Sequence, residues 1–94
     1  LMSKPSELLL FRKQQLQRQI QQSLNLLQGS LNKNPSQRGY HLTTKVDQKT
    51  VTKYVRRELV PRVRAMTANH LKVRKLLQRL SDTNWRLLQL PPQN

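Results

Sequence analysis

Residues 58–90, ELVPRVRAMTANHLKVRKLLQRLSDTNWRLLQL, decide the fold. Within them Leu59, Val63, Met66, His70, Val73, Leu77, Leu80, Asn84 and Leu87 alternate spacings of four and three without a break. That is a heptad rhythm, and it predicts one long helix over about 58–90 with these residues as its pairing or dimer seam. Pro61 falls in the first turn, where the missing N–H costs little. Pro91-Pro92 ends the pattern. His70 and Asn84 occupy seam positions and read as hydrogen-bonded or register-setting core residues rather than ligands.

A stripe of this kind must be buried, and the start of the chain offers a match. From about 6 to 28 the sequence is rich in Gln, Leu and Arg, all good helix formers. Leu9, Leu16, Ile20, Leu24 and Leu27 follow spacings of seven, four, four and three, which places them on one helical face. Ser3 or Ser6 is the expected cap, with Pro5 in the first turn and Gly29 as the stop.

Between the two helices, about 29–56, the character changes. Asn32 to Gly39 reads as a loop. Tyr40 to Val46 and Thr50 to Val55 are rich in Thr, Val and Tyr and read as two strands, with Asp47-Gln48-Lys49 as the turn. Pairing Val46 with Val51 and Leu42 with Val55 gives an apolar face, with Thr44 and Lys53 between. The other face carries His41, Thr43, Lys45, Thr52, Tyr54 and Arg56. Leu31 offers a short third strand. A lone hairpin is marginal in water and must dock. The expected class is therefore α+β, mainly α: one domain over 1–94, with an antiparallel pair of long, coiled-coil-like helices and a central β-hairpin. The third segment outruns the first by roughly 15 Å at 1.5 Å per residue. Its surplus predicts a homodimer or docking onto a larger protein.

Eighteen Lys and Arg face only four acids, Glu7, Asp47, Glu58 and Asp82, for a formal net charge of +14 over 94 residues. Self-repulsion of that size weakens a compact fold and attracts polyanions, nucleic acid first among them. The plain alternative is a solvated surface, but ordinary solubility needs a net charge of only about 2–8. There are no cysteines, which removes disulfides and thiolate chemistry and fits a cytoplasmic protein. No apolar run reaches the roughly 18 residues of a membrane span. The cluster Leu8–Phe11 is too short for a signal peptide, and the Leu at position 1 suggests a missing initiator residue.

Enzyme readings fail on inventory. Gly29 and Gly39 are the only glycines, so no phosphate loop exists, and His41 and His70 match no metal spacing. No metal and no cofactor are expected. His41 shares its hairpin face with Lys45, Tyr54 and Arg56. A small metal-free ribonuclease would use such a set, with His or Tyr as acid–base and Arg on the phosphate. Phosphate contact without cleavage is the simpler reading.

The cations fall in two clusters. Lys72, Lys75, Arg79 and Arg86 follow spacings of three, four and seven and so align on one face of the long helix. Arg62, Arg64 and Arg74 extend the field. The second cluster is Lys33, Arg38, Lys45, Lys49, Lys53, Arg56 and Arg57 on the loop and hairpin. With so few acids interspersed, both read as phosphate tracks. Such contacts carry no sequence information by themselves. Tyr40, Tyr54 or His41 offer a ring for an unpaired base. Trp85 lies beside the seam, where it is expected to pack on Leu8 or Phe11 or to anchor a protein partner.

Gln28-Gly29-Ser30-Leu31, Arg38-Gly39-Tyr40-His41-Leu42, Lys49-Thr50-Val51-Thr52-Lys53-Tyr54-Val55 and Arg57-Glu58-Leu59-Val60 together resemble a family of small bacterial proteins encoded beside transposases. That family has a leading helix, a Gly-Ser-Leu start to its core, a Gly-Pro-Tyr-like strand, a Lys-Thr-x-x-x-Tyr-Val strand and a long closing helix. Its members commonly carry a cysteine-rich loop suggestive of metal binding. This chain has Asn32 to Gln37 in that place, so no metal site carries over. The Pro of the Gly-Pro-Tyr-like motif is also absent. The resemblance implies association with a mobile element. Together these readings lead to an expected nucleic-acid-binding accessory protein of a mobile element or RNA–protein complex, DNA or RNA being left open. The rivals are a coiled-coil adaptor for a transposase or nuclease, and the ribonuclease.

Overall fold

The computed structural model describes residues 4–33 and 38–91. In chain order these form α1 (Pro5–Gln22), β1 (Ser30–Lys33), β2 (Tyr40–Val46), β3 (Lys49–Val55), a 3-10 turn (Arg57–Leu59) and α2 (Val60–Gln89). The class is α+β, with two helices and a three-stranded antiparallel sheet in the order β1-β2-β3. The expected hairpin is thus widened by β1, in which Leu31 pairs with Leu42. No helix among the described residues is long and apolar enough to cross a membrane.

Among the described residues the backbone clusters into two units, one within 25–71 and the other formed by 4–24 with 72–91. In the first, the sheet is set by its turn. Asp47 and Gln48 both take positive φ, 50° and 67°, which are the values of a two-residue type I′ turn. The turn is therefore one residue shorter than expected, and Val46 pairs with Lys49 rather than with Val51. The slip is two residues, and an even slip leaves every side chain on its expected face. Leu42, Val55 and Val63 of α2 form the buried cluster, with Leu27, Leu31, Tyr40, Leu59 and Val60 packed around it. His41 and Tyr54 sit opposite one another on the other face.

The first helix departs from its expected length. It ends at Gln22, not near residue 28. The buried Ser23 hydroxyl donates to the Gln19 carbonyl at 2.9 Å, and its N–H donates to the Ile20 carbonyl. A hydroxyl that bonds its own backbone competes with the helix and closes the last turn. Beyond it the chain finds tertiary partners. The Leu27 N–H donates to the Met66 carbonyl at 3.1 Å, and the Asn69 side-chain amide donates to the Asn25 carbonyl at 2.9 Å. Leu27 therefore packs on the sheet cluster, and Leu24 is exposed. At the other end the cap residue is Lys4, without a side-chain cap bond, followed by Pro5 at the first position. Ser6 lies inside the helix, and Ser3 lies outside the described residues.

The seam of α2 also differs from the heptad reading. Leu59 lies in the 3-10 turn and packs with Val63 on the sheet, while Met66 and His70 are half-buried. In the second unit the buried residues are Leu16 and Ser23 together with Val73, Leu76 and Thr83. Leu76 is 4% exposed, whereas the expected seam residue Leu77 is 49% exposed. Thr83 is buried next to Asn84, which is only half-buried, and its hydroxyl is satisfied by the Arg79 carbonyl at 2.9 Å. Leu80 and Leu87 are half-buried. One uninterrupted heptad presumes one partner along the whole helix. Here the first turns of α2 bury against a sheet and the later ones fall in the unit of α1, so no single a/d set serves both. Leu76→Ala is accordingly expected to cost about 2–4 kcal/mol, as for a buried leucine, and Leu77→Ala less than about 1 kcal/mol. Urea denaturation of the two variants tests this, and equal losses would restore the heptad seam.

Candidate nucleic-acid interface

On α2, Lys72, Lys75, Arg79 and Arg86 are all exposed. Three or four residues make about one helical turn, so their spacing places them on one face. Lys75 and Arg79 line a hollow of about 500 Å³ together with Arg12 of α1, Asp82 and Thr83. Three cations thus converge on a space that a single carboxylate tempers. That carboxylate is already engaged, since Arg86 Nε donates to Asp82 Oδ2 at 3.1 Å. Both partners are more than half exposed, and an exposed pair one helical turn apart contributes only about 0.3–0.5 kcal/mol. A phosphate can therefore compete with Asp82 for Arg86. An adjacent hollow of about 650 Å³ is lined by Leu8, Phe11, Arg12, Arg86 and Leu90.

Arg12 was absent from the sequence-based set. The signal was present: it stands three residues after Leu9 and four before Leu16, on the border of the α1 stripe, where long cations flank a helix contact. Trp85 is exposed and does not line the hollow with Leu8 and Phe11, which goes against the first of its two expected placements. Leu77, Trp85 and Leu88 remain exposed on α2 instead.

In the sheet unit the expected cations divide between two ends. Lys45 and Lys49 flank the Asp47-Gln48 turn. Lys33 and Arg57 lie at the opposite end, where with Gly39, Tyr40, Tyr54 and Val55 they line a hollow of about 500 Å³. Strands rise about 3.3 Å per residue, so the two ends of the seven-residue β2 lie roughly 20 Å apart. Arg38 directly precedes Gly39 and is exposed. Lys53 sits opposite Leu42 on the apolar face, at the sheet edge, where its long stem carries the ammonium out to solvent. Arg56 has left the strand and lies 3.8 Å from Glu58 in an exposed pair. Arg64 is exposed on the first turns of α2.

The aromatics concentrate at the Gly39 end. The Lys33 ammonium stands 5.7 Å over the Tyr40 ring, a cation–π contact. His41 and Tyr54 meet edge to face at 5.8 Å. His41 Nδ1 is buried and finds no hydrogen-bond partner among the described residues. Gly39 takes φ +84°, and a Cβ there would fall 2.9 Å from the Tyr54 ring. Only a glycine therefore lets the tyrosine lie against the backbone. The importance of Gly39 was not legible beforehand, because it depends on a ring fifteen positions away in sequence. Among the described residues no group of three His, Cys, Asp or Glu is placed to hold a metal.

No protein-family model, curated protein or solved structure matches the chain.

Proposed function

We propose that the protein is a non-enzymatic nucleic-acid-binding accessory factor that grips the sugar–phosphate backbone, in the setting of a mobile element or an RNA–protein complex. The observation that carries this reading is the convergence of Arg12, Lys75 and Arg79 on one hollow, continued along α2 by Lys72 and Arg86. An exposed helix face with four cations and one compensating acid is far from the mixed surface that solubility requires. Multidentate arginines suit phosphate oxygens, and lysines act there as point charges. Lys33, Arg38, Lys45, Lys49, Lys53, Arg57 and Arg64 carry further positive charge in the sheet unit. The helices of this unit are read as an antiparallel pair. Leu8 near the start of α1 shares a hollow with Leu90 just past the end of α2, while Arg12, one turn further along α1, shares one with Lys75–Thr83.

Backbone binding of this kind releases counterions, so its salt dependence is its signature. With about six duplex phosphates neutralised, log K against log salt is expected to slope near −5. Fluorescence anisotropy on a labelled duplex across a salt series measures it, and a slope near zero would remove the proposal.

A second reading, an adaptor for a transposase or nuclease, is favoured by the exposure of Leu77, Trp85 and Leu88 on α2. Tryptophan is enriched in binding hot spots. Co-purification of one stoichiometric protein with no nucleic acid would favour it. The ribonuclease reading has less geometry behind it. His41 and Tyr54 meet, but Lys45 stands four residues along β2, roughly 13 Å away at the rise of a strand.

A further inference from the structure

We infer that the Gly39 end of the sheet is a subsite for one unpaired nucleotide, so that the protein takes single-stranded nucleic acid in addition to gripping phosphates along α2. The inference rests on the backbone-binding function and adds to it the class of nucleic acid recognised.

Three observations lead to it. The hollow of about 500 Å³ is of a size to admit a base, and its lining combines two tyrosines with two cations. No acid occurs among the described residues that line it. Tyr54 is 64% exposed even though its ring is held on two sides. Gly39 supports it from the backbone, and His41 meets it edge to face. A tyrosine so fixed gives up little rotamer freedom when a base stacks on it. Finally, the cations stand where a nucleotide's phosphate would need them. Lys33 is poised over Tyr40, and Arg57 starts the 3-10 turn directly after the sheet.

A paired base cannot use this site. Its faces are covered by its neighbours in the stack, and the stacking contribution of an aromatic side chain is open only to bases that are already unpaired or are splayed out. The α2 stripe has no such requirement, because phosphates are presented by duplex and single strand alike. The two surfaces therefore make separable contributions: the stripe sets most of the salt dependence, and the Gly39 subsite sets the preference for unpaired strands.

The test compares short labelled oligo(dT), oligo(U) and a blunt duplex in anisotropy titrations at low salt, with wild type, Tyr54→Ala, Tyr54→Ile and Tyr54→Phe. Isoleucine is a good strand residue without a π-face, so it serves should alanine disturb the strand; circular dichroism checks both. Removal of the ring is expected to weaken single-strand binding about tenfold or more, with a much smaller loss on the duplex. Phenylalanine retains most of the affinity. Arg57→Ala is expected to reduce the single-strand salt slope by about 0.7. Equal losses on single strand and duplex, or no loss on either in folded Tyr54→Ile, would overturn the subsite and leave the phosphate grip standing. Failure of the wild-type protein to bind any of the three would overturn the backbone-binding function itself.

Discussion

Reversing three charges on α2 together, Lys72→Glu, Lys75→Glu and Arg79→Glu, is expected to weaken duplex binding at low salt by about a hundredfold or more. It should also flatten the salt slope by nearly three units, about 0.9 for each lost phosphate contact. All three side chains are exposed, and Glu is as good a helix former as Lys or Arg, so the helix should persist. The control is an equal reversal on the sheet, Lys45→Glu, Lys53→Glu and Arg56→Glu. Both triple variants lower the formal charge of +14 by the same amount. A response to net charge alone would make them indistinguishable. A response to local geometry separates them, because Lys75 and Arg79 converge with Arg12, whereas Lys45, Lys53 and Arg56 are strung along the sheet and Arg56 already lies beside Glu58. Equal losses in the two variants would mean that the α2 stripe is not a distinct binding surface.

Gly29→Ala is expected to be strongly destabilising. Gly29 has φ +142°, a region that residues with a side chain rarely adopt. A Cβ there would meet the Thr43 carbonyl oxygen at 2.7 Å, Leu42 Cδ1 at 3.1 Å and Thr44 Cβ at 3.2 Å. The first contact is with backbone of the central strand, which cannot swing aside as a side chain would. Backbone strain alone costs about 1–3 kcal/mol, and the clash displaces Leu42, one of the buried cluster. A loss of about 3 kcal/mol is expected, lowering Tm by roughly 12 °C or more. Thermal unfolding followed by circular dichroism reads this directly. An unchanged Tm would show that β1 and β2 do not approach as described. The place of Gly29 after the leucine stripe reads as a helix stop. Its actual constraint is the close approach of β2, seven residues beyond the end of α1.

The candidate interface was legible to different degrees at its two centres. The α2 stripe follows from spacing alone, because cations three, four and seven apart share a helical face whatever the helix packs against. Arg12 joins it only through the packing of α1. On the sheet, His41 and Tyr54 were placed on one face correctly despite the wrong register, since an even slip preserves the alternation. The placement of Lys33 at the same end as Arg57 was not legible. It depends on which strand end each occupies once β1 has paired and the turn has closed at two residues.

By itself the sequence determined what is local or periodic. It set most of the helical and extended segments, the faces of the strands, the end of α2 shortly before Pro91 and a dense, almost uncompensated positive charge. Tertiary structure alone decided where α1 stops, which of Leu76 and Leu77 is buried, and how Gly39, Tyr54, Lys33 and Arg57 come to border one hollow. The physical reason is the same in each case. Residue spacing defines directions around an element, but burial depends on the partner standing in that direction. A helix whose two halves meet different partners has no single periodicity from which its core can be read.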